Sequence, residues 1–166
     1  MRAELRSNCS ARVLEEMVAT PEMDAVLADA RKEFKKKRYR KTIALAEKIV
    51  QQKPYEEEAQ FLLNTSYLAI GNVHLRKGEH GKAENVLVKI AKDFPGLEEA
   101  LVKLDRQKRQ LAEEHYRQGV KYYLNEDLAK AIGEWQLTLE LYPEHLRASQ
   151  NITKARAILE KLEAVQ

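Results

Sequence analysis

The sequence predicts an all-α chain, an array of short helical hairpins interrupted by two elongated helices. Three observations predict it. The 166 residues are 44% hydrophobic and 33% charged with only six Gly and four Pro, a helix-rich composition without the β-branched and aromatic runs of a sheet. A small residue, a second small residue and a proline recur twelve and twelve apart, at Ala30, Thr42 and Pro54, at Gly71, Ala83 and Pro95, and at Gly119, Ala131 and Pro143. The proline-to-proline intervals are 41 and 48 residues, a 34-residue step lengthened by one heptad and then by two. Whole heptads extend a helix without rotating its apolar stripe far.

Residues 1–20 form an N-terminal helical segment. Leu5, Cys9, Val13 and Met17 recur every four residues, and a helix is expected over Ser10–Ala19. Thr20-Pro21-Glu22 restarts the chain with a capping hydroxyl, a proline at the first helical position and an acid near the positive helix end. Residues 21–96 hold two repeats. The first pairs helix 21–37, carrying Val26, Leu27, Ala30 and Phe34, with helix 41–52, carrying Ile43, Ala46, Ile49 and Val50. The second pairs a long helix from Glu56 to Lys77 with one of ordinary length over 82–93. Hairpins should close near Arg38, Gly78 and Glu126. Residues 97–111 extend the next helix, and 112–143 form the third repeat. One continuous helix is expected from Leu97 to Leu124, the alternative being a break in the polar stretch Asp105–Arg109. Residues 144–166 form a final capping helix with Leu146, Ile152, Ala155, Ile158, Leu159, Leu162 and Val165 at helical period. It either folds back along 97–111 or leaves the third repeat to be covered by a second copy of the chain. The small residues let two helices approach closely, and each proline stops the second helix of its pair.

Residues 112–143 carry a more specific signal. Gly119, Tyr122, Ala131, Trp135 and Pro143 fall on the positions of a 34-residue helix–turn–helix pattern, while His115 and Gln118 stand where Trp and Leu are usual. This stretch resembles a tetratricopeptide (TPR) repeat, and the resemblance extends over roughly 21–165. It implies an α-solenoid of TPR hairpins whose first helices line a concave groove. In that groove an extended peptide or a partner helix would be received. Carried onto this chain, the groove positions are Leu27, Arg31 and Lys35, then Leu68, Asn72 and Arg76, then Tyr116, Val120 and Tyr123. Arg31, Lys35, Asn72 and Arg76 make a basic, hydrogen-bonding strip suited to carboxylates, with Tyr116 and Tyr123 as aromatic contacts.

Catalytic chemistry is not expected. His74, His80, His115 and His145 lack metal-site spacing, and one cysteine, Cys9, excludes an internal disulfide or a multi-cysteine zinc site. There is no phosphate-binding glycine loop and no nucleophile–base constellation, so neither metal nor cofactor is called for. Trp135 reads as repeat core. The triplets at Asn8, Asn64 and Asn151 read as chance matches to a glycosylation signal. The run Arg31–Lys41 holds eight cations and one acid, either a solvated helix end or a surface for an acidic ligand.

The function expected is a non-catalytic scaffold for a protein or peptide partner with acidic groups. The alternative is a structural array that dimerises through its apolar helix faces. A net charge of +3 is too mild to argue for nucleic acid. No apolar run reaches the roughly 18–20 residues needed for direct membrane insertion. A single cysteine leaves the compartment open and inclines it only slightly to a reducing cytoplasm. A faint likeness of the third repeat to TPR segments of bacterial envelope-associated proteins makes the periplasm the alternative, had a targeting segment been removed.

Overall fold

The computed structural model describes residues 21–164. The helix expected over Ser10–Ala19, with Cys9 and Asn8, and Val165 at the other end lie outside the described residues. Within them the chain forms seven α-helices and no strand: α1 Pro21–Lys35, α2 Tyr39–Gln52, α3 Glu57–Arg76, α4 His80–Leu87, α5 Leu97–Leu124, α6 Leu128–Leu141 and α7 Leu146–Glu163. No described helix is long and apolar enough to cross a membrane.

Three of the connections are the same turn. Lys37, Gly78 and Glu126 each take a positive φ, of 55°, 71° and 63°. In each case the next residue, Arg38, Glu79 or Asp127, donates its N–H five residues back, to the carbonyls of Glu33, His74 and Tyr122. The positive-φ residue itself donates three back, to Phe34, Leu75 and Tyr123. This is the Schellman arrangement, which satisfies the last carbonyls of one helix while reversing the chain into the next. The three positive-φ residues all lie seven positions after the first small residue of their repeat. Local reinforcement differs: Asp127 Oδ1 caps α6 by accepting from the Lys130 N–H at 3.2 Å, whereas Glu79 clasps His74 at 2.6 Å and Lys82 at 2.8 Å. Lys82 and then His74 hold the Glu79 carboxyl down to about 2.

The chain divides into two compact units, and the division falls inside α3. One unit runs to Ile70 and takes in Lys89–Phe94; the other comprises Gly71–Val88 and the chain from Pro95 onward. In the first unit α1 packs on α2. Met23, Leu27, Ala30, Ile49, Ala59 and Leu62 form its buried core, flanked by Val26, Phe34, Leu45 and Val50. Phe34 and Tyr39 meet edge-on at 5.9 Å across the turn. Tyr67 donates to Glu47; burial first, and this bond second, push the phenol up to about 12.

The second helix of the middle hairpin is not of ordinary length. It was expected over 82–93, but α4 ends at Leu87. Beyond that point Val88 is 76% exposed, so continuing the helix would bury little there. Residues 89–94 instead pack within the first unit: Ile90 is buried, the Ala91 N–H donates to Asn64 Oδ1 at 3.2 Å, Lys89 lies over the Tyr67 ring at 5.5 Å, and Phe94 meets Phe61 at 6.1 Å.

In the second unit α5 is continuous for 28 residues, about 40 Å at the rise of an α-helix. Gly96 starts it at φ 84°, and Glu98 and Glu99 sit in its first turn. The polar stretch Asp105–Arg109 does not break it. Arg109 Nε bonds Asp105 one turn back at 2.8 Å, and its guanidinium lies 4.5 Å over the Tyr142 ring. The first half of α5 buries Leu97, Ala100 and Leu104, while Leu101 is 43% exposed. Lys108 there reaches Glu84 of α4 at 3.1 Å.

The second half of α5 packs with α6 and α7 around Leu128, Ala131, Ile132, Trp135, Ala148, Ile152 and Ala155. Close approach depends on glycine. A Cβ on Gly119 would lie 2.5 Å from Trp135 Nε1, and one on Gly71 would lie 2.6 Å from Leu87 Cδ2. The α7 helix does not fold back along 97–111. Its start meets Glu113 and Tyr116, and its later turns share a hollow with Tyr123 and Leu124, so it runs parallel to the second half of α5. The apolar groups lining that half give α7 more to bury there than the polar stretch Asp105–Arg109 offers.

Candidate functional site

The predicted basic strip is divided between the two units: Arg31 and Lys35 belong to the first, Asn72 and Arg76 to the second. On α1 the spacing of Ala28, Arg31, Lys32 and Lys35 sets them on one helix face, and with Lys36 they line an open hollow of about 420 Å³. Arg31 is already engaged. Its Nε and Nη2 both donate to the Glu58 carboxylate; these bonds raise the guanidinium above its ordinary value and hold Glu58 below the usual carboxylate range. Lys35 is exposed. In the second unit Asn72 is half-buried and Arg76 is the exposed last residue of α3.

Of the two aromatic predictions, Tyr123 lines a better-formed hollow, and Tyr116 lies outside its lining and holds its floor through a backbone carbonyl. Gly119 lets α6 approach α5 so closely that Trp135, 1% exposed, lies against the glycine. The indole Nε1–H donates to the Tyr116 carbonyl at 3.2 Å, which fixes the ring. Tyr123, one turn beyond Gly119, packs on Trp135 at 5.7 Å. Tyr116 lies over His145 at 4.7 Å, and its hydroxyl accepts from Asn151 Nδ2 at 3.5 Å. Val120, Tyr123, Trp135, Asn151 and Lys154 thus line a hollow of about 180 Å³ between α5 and α7, floored by the indole. Beside it a wider apolar hollow of about 570 Å³ is lined by Tyr123, Leu124, Glu126, Leu128, Ile158 and Leu162.

This arrangement offers aromatic and aliphatic surface with one amide and one ammonium at its rim. Such a set can seat an apolar side chain and hold a carboxylate beside it. It contains no base poised on a nucleophile. Among the described residues no three His, Cys, Asp or Glu side chains gather as a metal site would require.

Of the residues lining this hollow, the sequence reading names Val120 and Tyr123 as groove positions and does not name Asn151 and Lys154. The repeat itself could have found them, since a 34-residue step from Arg117 and from Val120 lands on Asn151 and Lys154. Treating α7 only as a cap hid that step. Two histidine–carboxylate hydrogen bonds were also missed, His115 with Glu134 at 2.7 Å and His145 with Glu113 at 3.2 Å. No protein-family model matches the chain, and no curated protein matches it in sequence.

Proposed function

We propose that this chain is a non-catalytic protein-interaction module of the tetratricopeptide type, and that it holds a peptide or helix of a partner in the hollow between α5 and α7. The observation that carries the reading is the Trp135-floored hollow, walled by Val120 and Tyr123 on one helix and by Asn151 and Lys154 on the other. The repeated turn at Lys37, Gly78 and Glu126 supports the repeat class. Lys154 at the rim favours a carboxylate in the partner. Selection from a phage-displayed random peptide library tests this. Selected peptides should pair an acidic with an apolar residue, and Tyr123→Ala and Lys154→Glu should each weaken them at least about tenfold, the scale of one lost contact in a buried pocket, with unchanged helical circular dichroism. Peptides that bind both variants as tightly as the parent move the site elsewhere.

A second reading, self-association, is favoured by one specific observation. Leu124 is 74% exposed at the repeat position where the other hairpins carry Lys35 and Arg76. Beside it Ile158 and Leu162 are also exposed. An apolar residue where its counterparts are charged suits a covered face. Light scattering over a range of concentrations decides: a mass constant at the 19.2 kDa of one chain rejects a dimer.

A further inference from the structure

His145 sits where α6 hands over to α7 and is only 8% exposed. Its Nδ1 lies 3.1 Å from the backbone nitrogen of Ala148, and the same N–H also leans on the His145 carbonyl at 3.1 Å. A backbone amide only donates, so Nδ1 must be bare and the ring proton must sit on Nε2. Nε2 faces Glu113 Oε1 at 3.2 Å, which accepts that proton. The side-chain cap of α7 is therefore an imidazole in one tautomer. Most helices use Ser, Thr, Asp or Asn for this purpose. Histidine differs because it is the side chain whose charge ordinarily changes between about pH 5 and 8.

A second proton can go only to Nδ1. There it would point at the Ala148 N–H, donor against donor, at the positive end of a helix and away from water. We propose that His145 is an acid-sensitive latch: the neutral ring caps α7, and protonation releases the first turn of that helix.

The groups around the ring bear this out. From α5, Glu113 and Tyr116 face it, with the Tyr116 ring at 4.7 Å. From the end of α6, Tyr142 meets it edge-on at 6.1 Å. Arg109, paired with Asp105, lies over Tyr142 and donates to its hydroxyl at 3.2 Å, bringing a cation near the cluster. The face of the Tyr116 ring favours a charged imidazole by cation–π attraction, and so does Glu113. Its side chain is 52% exposed, so water screens it, and it holds Nε2, which leaves the conflict at Nδ1 unrelieved. The cap lies two turns before Asn151 and Lys154, so its release would loosen that wall of the hollow. The latch itself does not depend on the peptide-binding reading.

The test uses the full chain with no ligand. Imidazole nitrogen shifts at about pH 7.5 should report the tautomer protonated on Nε2. On acidification to about pH 5.5, amide exchange at Ala148 and Ser149, corrected for its intrinsic rate, should accelerate about fivefold, the scale of one lost cap. His145→Asn keeps a capping oxygen without the titration and should show no such acceleration; Glu113→Gln should retain it. Equal acceleration in His145→Asn, or its loss in Glu113→Gln, would overturn the latch. So would a wild-type ring protonated on Nδ1 at the higher pH, a measurement that stands even if a variant fails to fold.

Discussion

In the third hairpin α6 runs fourteen residues from Leu128 and stops two short of Pro143. In the second, α4 stops after eight, at Leu87, well short of Pro95. Both hairpins begin with the same Schellman turn, at Glu126 and at Gly78. Both press a glycine of the first helix against a large residue sixteen positions later, Gly119 on Trp135 and Gly71 on Leu87. The first hairpin places Ala30 and Ala46, both fully buried, at the same two positions. Turn and first contact are thus set locally and repeat. The length of the second helix is set by what its later turns can cover. Trp135 and Thr138 are buried along α6, whereas Val88 is open to water and Ile90 finds its burial within another unit.

The glycine contacts give the largest expected effects. Trp135→Ala should cost about 3–5 kcal/mol by denaturant titration, since it empties the floor of the hollow and removes the indole's bond to the Tyr116 carbonyl. Gly119→Ala should cost about 1–3 kcal/mol despite the better helix propensity of alanine, because the new methyl meets a ring held by a hydrogen bond. Gly71→Ala should cost less, because the new methyl meets Leu87, an aliphatic side chain held by no hydrogen bond, although Cδ2 and Cγ would lie 2.6 and 2.9 Å away and Leu87 is fully buried. In the Trp135→Ala background Gly119→Ala should lose most of its cost, a coupling that a double-mutant cycle reads directly. Equal costs for the two glycines, or additive costs in the cycle, would show that the approach at Gly119 is not limited by Trp135.

Much of this was legible in the sequence because it depends on near neighbours. The twelve-residue spacing placed the hairpins, Gly78 marked a turn, and the heptad insertions foretold the extended α3 and α5. The closures near Arg38 and Glu126 followed from the spacing and not from residue type, since a lysine or glutamate at positive φ is a local cost overridden by the hairpin around it. What escaped depends on distant partners. Nothing near Val88 announces that Asn64, 27 residues before Ala91, will take its N–H. The hydrophobic period of α7 likewise counted Leu146 and Leu162 as inward, yet they are 74% and 55% exposed. The site shows the same split. Tyr123 and Val120 followed from the repeat, whereas the binding of Arg31 by Glu58 needed knowledge of how α1 meets the start of α3.

Asn64 offers the smaller and sharper test of why the two hairpins end differently. Its side-chain oxygen, carried on α3, supplies the Ala91 N–H with an acceptor that is not a helix carbonyl. Removing that acceptor leaves a donor to be met by water, at a cost of about 1 kcal/mol. Asn64→Ala should therefore lower stability by about that amount and raise amide exchange across residues 89–94 about fivefold, as that loss implies if the amides open locally. Residues 128–141 should not respond, because α6 takes its amides along its own carbonyl ladder up to Tyr142 N–H on the Thr138 carbonyl at 2.9 Å. Exchange that rises equally in both stretches would mean the substitution had loosened the whole chain. Exchange unchanged in 89–94 would mean that Ile90, Phe94 and the Lys89–Tyr67 contact hold the segment without Asn64. The early end of α4 would then be a matter of apolar burial alone.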